Sequence, residues 1–122
     1  MVKRSFDPDP YLPLTPPMFQ VLLALADGEK HGYAIIKEVQ RRTDGKVRLS
    51  AGTLYALIKR FVQDGLIVEC DERPDPSLDD ERRRYYRLSD NGRAVAIAET
   101  RRMEETVGQA RAKLLLRRPR PA

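Results

Sequence analysis

Ser50-Ala51-Gly52-Thr53-Leu54-Tyr55-Ala56-Leu57-Ile58-Lys59-Arg60-Phe61-Val62-Gln63-Asp64-Gly65 is the stretch on which the fold turns. Ser50 is a capping residue and Asp64-Gly65 a stop, so the spacing predicts a helix between them. Leu54, Leu57, Ile58, Phe61 and Val62 recur at steps of three and four and fall on one face. At about 100° per residue the opposite face collects Gly52, Thr53, Ala56, Lys59, Arg60 and Gln63, all small, polar or cationic. Such a helix packs by one side and offers the other.

Two shorter helices precede it. Thr15 offers an N-cap with Pro16 in the first turn, and the apolar run from Met18 to Ala26 ends at Asp27-Gly28, which predicts a first helix over 16–27. It is apolar nearly all round, as a helix covered on two sides is. Gly32 opens a second, over 32–43, with Ile35, Ile36 and Val39 as its stripe and Asp44-Gly45 as its stop. His31 before it reads as a cap or turn residue. Ahead of all three, residues 1–17 hold five prolines, at 8, 10, 13, 16 and 17. Each disfavours helix at the residue before it, so residues 1–14 read as an extended arm rather than a folded element.

Downstream, Leu66, Val68 and Cys70 alternate with Ile67, Glu69 and Asp71, and Arg84, Tyr86 and Leu88 alternate with Arg83, Tyr85 and Arg87. Two half-buried strands show that pattern, and the turn-rich insert over 73–80 joins them as a hairpin. Ser89 or Asp90 begins a last helix running toward Arg117 before Pro119 and Pro121. The fold class is therefore mostly α with a small β-hairpin: a winged helix-turn-helix over 15–89, a long C-terminal helix over 90–117 and a basic tail over 118–122. The hairpin is the wing.

Composition narrows the functions. The chain has 122 residues, one Cys and one His, and 23 Lys+Arg against 18 Asp+Glu for a net charge of +5. One small domain with a polyanionic partner fits these numbers, double-stranded DNA first among such partners. A disulfide framework and a zinc site are both excluded by the Cys and His count, since such a zinc site takes about four ligands. No metal and no cofactor are expected. Val21 to Ala26 is far short of the ~20 apolar residues a membrane span needs, and no apolar signal core follows Lys3-Arg4, so a cytoplasmic protein without membrane contact is expected. Asp75, Asp79, Asp80 and Glu81 have no nucleophile or ligand set beside them, so no enzyme activity is expected.

Ser50-Ala51-Gly52-Thr53 suits a helix end that must approach base edges, because bulk there would hold the backbone off the groove floor. Lys59 and Arg60 fall where that helix would leave the groove and meet phosphates. Tyr33 and Tyr55 can present wet hydroxyls to the backbone, and Arg82-Arg83-Arg84 stands on the strand returning from the wing. The expected DNA-binding residues are thus Tyr33, Ser50, Gly52, Thr53, Tyr55, Lys59, Arg60, Arg82, Arg83 and Arg84.

In the last helix, Thr100, Met103, Val107, Ala110 and Leu114 continue from Ala96 in alternating steps of four and three, a coiled-coil-like seam. About 27 residues would extend ~40 Å, beyond the preceding domain, and a second copy is the economical cover for an apolar seam that projects. With Phe19, Leu22 and Leu23 of the first helix, these residues form the expected homodimer interface. A winged-helix adaptor for an acidic protein, indifferent to DNA sequence, is the alternative.

His31-Gly32-Tyr33-Ala34-Ile35 comes first, then Gly52-Thr53-Leu54-Tyr55 running to Lys59-Arg60-Phe61 and Asp64-Gly65-Leu66-Ile67. Arg83-Arg84-Tyr85-Tyr86-Arg87-Leu88-Ser89 with Gly92-Arg93 follows. With these stretches in this order, the chain over 15–95 resembles the PadR-like transcriptional regulators. The resemblance implies a cytoplasmic regulator, usually a repressor, whose winged helix binds an inverted repeat as a homodimer. The single C-terminal helix is similar to the smaller subgroup, in which that helix dimerises, often against the partner's first helix. Several such relatives release DNA on binding phenolic or drug-like ligands between subunits, some through a Trp that this sequence lacks. A small hydrophobic or phenolic effector would then rest on Phe19, Leu22, Met103 and Val107.

Overall fold

A computed structural model describes residues 6–74 and 82–117, apart from the side chains of Arg73, Pro74 and Arg82. The acidic tip residues Asp75, Asp79, Asp80 and Glu81 and the tail over 118–122 lie outside the described residues. Helix α1 spans Pro16–Ala24, with the Thr15 hydroxyl accepting from the Met18 N–H at 3.4 Å. It is shorter than the sequence suggests, because the next residues tighten: Leu25 N–H donates to Leu22 O at 3.2 Å and Ala26 N–H to Leu23 O at 3.1 Å. Such i to i−3 bonds close a helix and leave Asp27 and Gly28 outside it.

Strand β1, Lys30–His31, is followed at once by α2, Gly32–Arg42. His31 serves both elements. Its backbone pairs opposite Tyr85, and its Nδ1 caps α2 by accepting from the Ala34 N–H at 3.1 Å. Asp44 and Gly45, with φ of 56° and 75°, then reverse the chain. Helix α3 spans Ala51–Gln63 and is capped by Ser50, whose Oγ accepts from the Thr53 N–H at 3.1 Å. Its Leu54, Ile58 and Phe61 join Val21, Leu22, Ile35, Val39, Leu66, Ile67 and Val95 in one core.

Strands β2, Ile67–Pro74, and β3, Arg82–Leu88, pair antiparallel, and β1 adds to the other side of β3. The sheet thus has three strands in the order β1-β3-β2, where the sequence suggests a two-stranded hairpin. A strand of two residues is too short to produce an alternation. The alternation in β3 is kept, with Tyr86 and Leu88 buried, but β2 breaks its own. Glu69 sits opposite Tyr86 and Glu72 opposite Arg84, so three steps on β2 match two on β3. One extra residue makes a bulge, and Glu69 and Glu72 therefore face the same side as Arg84.

Helix α4 spans Asp90–Ala112. Its start is locked to the end of α3: Ser89 N–H donates to Leu66 O at 3.1 Å, and the Ser89 hydroxyl donates to Gly65 O at 2.5 Å. Gly92 lies directly beneath that turn, where an added Cβ would stand 2.0 Å from Leu66 O. At the far end, Leu114 N–H reaches Arg111 O at 2.9 Å and Leu115 N–H reaches Ala110 O at 3.0 Å, the Schellman closure. Leu114 takes φ 64° to make it, so the helix stops at Ala112 instead of running to Arg117. That closure usually takes a glycine, and a leucine gives no warning of it.

The proline-rich segment is not an extended arm. Asp9–Tyr11 forms a 3-10 turn, the Phe6 and Tyr11 rings stack with centroids 5.9 Å apart, and Leu14 is buried. Leu14 N–H donates to Glu99 Oε2 at 2.6 Å, which ties the segment to α4. Glu99 is fully buried and its other oxygen accepts from Arg102 Nε. Burial pushes the Glu99 carboxyl up, but the Arg102 and Leu14 donors outweigh it and hold the pKa below its ordinary value.

Candidate nucleic-acid interface

The two sides of α3 separate as its sequence dictates. Leu54, Ile58 and Phe61 are buried, whereas Ser50, Gly52, Thr53, Ala56, Lys59, Arg60 and Gln63 are exposed. The Ser50 hydroxyl also donates to Thr53 Oγ1 at 3.0 Å, so the two hydroxyls form a fixed polar pair at the helix start. A Cβ on Gly52 would meet nothing within 4 Å. The chain's own packing therefore does not require a glycine there.

Two tyrosines connect this face to its neighbours. Tyr55 is 47% exposed, and its hydroxyl overlies Gly32, where a Cβ would stand 2.5 Å from it. Tyr33, on the first turn of α2, is 43% exposed and carries two cations over its ring, Lys37 Nζ at 4.9 Å and the Arg83 guanidinium at 5.3 Å. Arg83 thus lies toward α2. Arg84, one residue on, leaves the opposite face of β3 and bonds Glu69 Oε1 at 2.9 Å. Arg82 belongs to β3, and its side chain lies outside the described residues.

A cleft of about 230 Å³ runs between α3 and the wing, lined by Tyr55, Ile58, Lys59, Val62, Gln63, Glu69 and Tyr86. Burial pushes the Tyr86 phenol above its ordinary value, and the neighbouring Tyr55 and Glu69 add to the shift. Contacts thus connect Tyr33 with Arg83, Tyr55 with α2, and Arg84 with Glu69, whose carboxylate lines the same cleft as Lys59. Glu69 has no part in the sequence-based site, because alternation along each strand does not say which residues pair across them; the register sets Glu69 opposite Tyr86, on the face that carries Arg84. Glu99 was legible in principle: it falls four residues after Val95, on the apolar face of α4.

The expected interface residues divide differently. Phe19 is 8% exposed and Leu22 fully buried within this one chain, so Leu22 has no surface to give a second copy or an effector. Packing of α1 against α2 and α4 buries Phe19, Val21, Leu22 and Ala24 and accounts for most of its all-round apolarity within one chain. Leu23 does reach the surface, beside a groove of about 380 Å³ that it shares with Ala26, Leu88, Ala96, Ile97 and Thr100. Arg93, Arg101 and Glu104 edge it. Met103 is 37% exposed, Val107 and Ala110 are half-buried, and Leu114 lies beyond the helix, 83% exposed. Among the described residues no helix is long and apolar enough to cross a membrane, and no three His, Cys, Asp or Glu side chains gather as a metal site.

Three helices, a small sheet whose β2 and β3 flank the exposed helix, and a trailing helix define a winged helix-turn-helix protein. The sequence profile described as the Transcriptional regulator PadR-like family matches residues 21–98, and the chain belongs to that family. It is 36% identical over 85 residues to a transcriptional regulator of Mycobacterium tuberculosis, an alignment covering 70% of this chain and 73% of the relative. Solved structures share the fold. A PadR family transcription regulator from Clostridium difficile superposes with a TM-score of 0.64 at 24% identity, covering 80% of this chain and 96% of the other. PadR of Bacillus subtilis, solved in complex with operator DNA, gives 0.55 at 17% identity, covering 89% of this chain and 52% of the other.

Proposed function

We propose that this chain regulates transcription as a homodimeric, sequence-specific DNA-binding protein, usually repressing, on a pseudo-palindromic site. The observation that carries the reading is the exposed Ser50-to-Gln63 face of α3, small and hydroxylic at its start and cationic further along, beside a wing that bears arginines. Small residues let the helix backbone approach the major-groove floor, Thr53 is placed to meet a base edge, and Lys59, Arg60, Arg83 and Arg84 meet phosphates. Tyr33 and Tyr55 flank them. The Bacillus subtilis relative, bound to its operator, supports the choice of nucleic acid.

Two-fold symmetry in the protein matches two-fold symmetry in the site, with half-sites about one helical turn or a multiple apart. The exposed Ile97 and Met103 on α4, with Leu114, Leu115 and Leu116 just past it, supply apolar surface for the second copy. A small hydrophobic or phenolic effector fits better in the groove by Leu23, Ile97 and Thr100 than at the buried Leu22. The test is fluorescence anisotropy with genomic fragments that the purified protein retains, against scrambled duplexes. Preference for a palindrome is expected, and equal affinity for both at physiological salt overturns the reading. With ~6 to 10 phosphates neutralised per dimer, affinity falls by roughly 10³ to 10⁵ between about 50 and 200 mM salt.

A further inference from the structure

The wing brings a carboxylate to the place where the proposed function needs positive charge. Glu69 Oε1 accepts from Arg84 Nη1 at 2.9 Å, and both side chains are about half exposed, at 45% and 51%. Glu69 also lines the cleft between α3 and the wing, together with Lys59. Glu69 sits opposite Tyr86, on the face of β3 that Tyr86 shares with Arg84, and the bulge in β2 brings Glu72 to that same face, opposite Arg84. In a regular strand, Glu69 and Glu72 would point to opposite sides. Regular pairing thus sets one acid on the face of this wing arginine, and an irregularity adds a second.

We propose that Glu69 is an intramolecular competitor for DNA phosphate: in the free protein it occupies Arg84, and a bound duplex must displace it. This rests on the DNA-binding reading above. A carboxylate and a phosphate oxygen accept the same guanidinium hydrogen bonds, so a phosphate gains the Nη1 donor of Arg84 only as Glu69 gives it up, and a carboxylate left beside a phosphate repels it. The exchange has a signature in salt dependence. A free arginine that takes a phosphate releases one counterion from the DNA. Where Glu69 is displaced, its bare carboxylate gathers a cation, which cancels part of that release. Glu69 thereby sets how strongly the wing grips any duplex and lowers the electrostatic share of binding, the share that does not depend on sequence.

The experiment measures duplex affinity against salt concentration for the wild-type dimer, Glu69→Gln, Arg84→Gln and the double variant. Glutamine keeps the size of the side chain at an exposed strand position, and circular dichroism melts confirm the fold of each variant. Glu69→Gln should tighten binding to scrambled DNA about two- to fivefold at low salt, the scale of an exposed ion pair, and steepen the log–log salt slope by a part of the ~0.9 that one phosphate contact contributes. Both gains should vanish when Arg84 is also replaced. Unchanged slope and affinity in Glu69→Gln, or an equal gain with Arg84 absent, overturns the competitor role while leaving DNA binding intact. A wild-type protein that binds no duplex at any salt overturns both.

Discussion

Gly52→Ala should make the protein more stable and a poorer DNA binder. Gly52 lies in the first turn of α3, and a Cβ there meets nothing within 4 Å. Alanine therefore removes the conformational freedom of glycine from the unfolded chain without a clash, worth about 0.5–1 kcal/mol. For a chain of this size that raises Tm by roughly 2–6 °C. On DNA the same methyl lies on the presented face beside Thr53. It holds the helix off the groove floor by about the radius of a methyl group, enough to stretch a hydrogen bond from ~2.9 Å past its useful range. One lost base contact costs about 1–3 kcal/mol, or ~5- to 150-fold in affinity. Differential scanning calorimetry and anisotropy titrations on one preparation measure both. A variant that is more stable and binds its preferred site as tightly as wild type would falsify the placement of this face in the groove.

The opposite outcome is expected at Gly92, where a Cβ stands 2.0 Å from backbone Leu66 O. Gly92→Ala should cost about 3 kcal/mol and lower Tm by roughly 10 °C or more, and calorimetry showing no loss would contradict the close approach of α4 to that turn. Because the folded Glu99 pKa lies below its ordinary value, its contribution is present above the unfolded pKa and is lost as pH falls through the folded one. Chemical denaturation from pH 7 to pH 3 should therefore show wild type losing more stability than Glu99→Gln, and parallel curves would remove Glu99 from the acid response. Met103→Glu with Leu114→Glu changes two exposed residues, so sedimentation should find a folded monomer; a persistent dimer places the interface elsewhere.

Residues 50–65 were legible because their pattern is long and strictly periodic: the cap, both faces of α3 and its stop are where spacing places them. Tyr86 and Leu88 likewise alternate inward as expected. What was hidden depends on contacts between distant residues. Leu22 looks like interface in a helix apolar all round, yet its cover comes from its own chain, which no local window contains. Prolines in 8–17 argue against helix but say nothing of docking, which rests on Glu99, 85 positions beyond Leu14. The bulge in β2 carries no glycine to mark it. The Arg84–Glu69 pair could be read only from the paired register.

The junction of Ser89 and Gly92 with Gly65 and Leu66 has a mechanical meaning. Two hydrogen bonds and a backbone contact with no room for a methyl leave α4 no independent hinge where it meets the end of α3. The 23-residue helix, ~35 Å long, is therefore a stiff lever whose N-terminal end carries the reading helix. In the proposed dimer, tilting one helix by about 5° about its C-terminal end moves the end joined to α3 by roughly 3 Å, close to the rise of one base pair. The tight junction passes that motion on to α3, so in such a dimer the angle between the two levers would set the distance between the two reading helices.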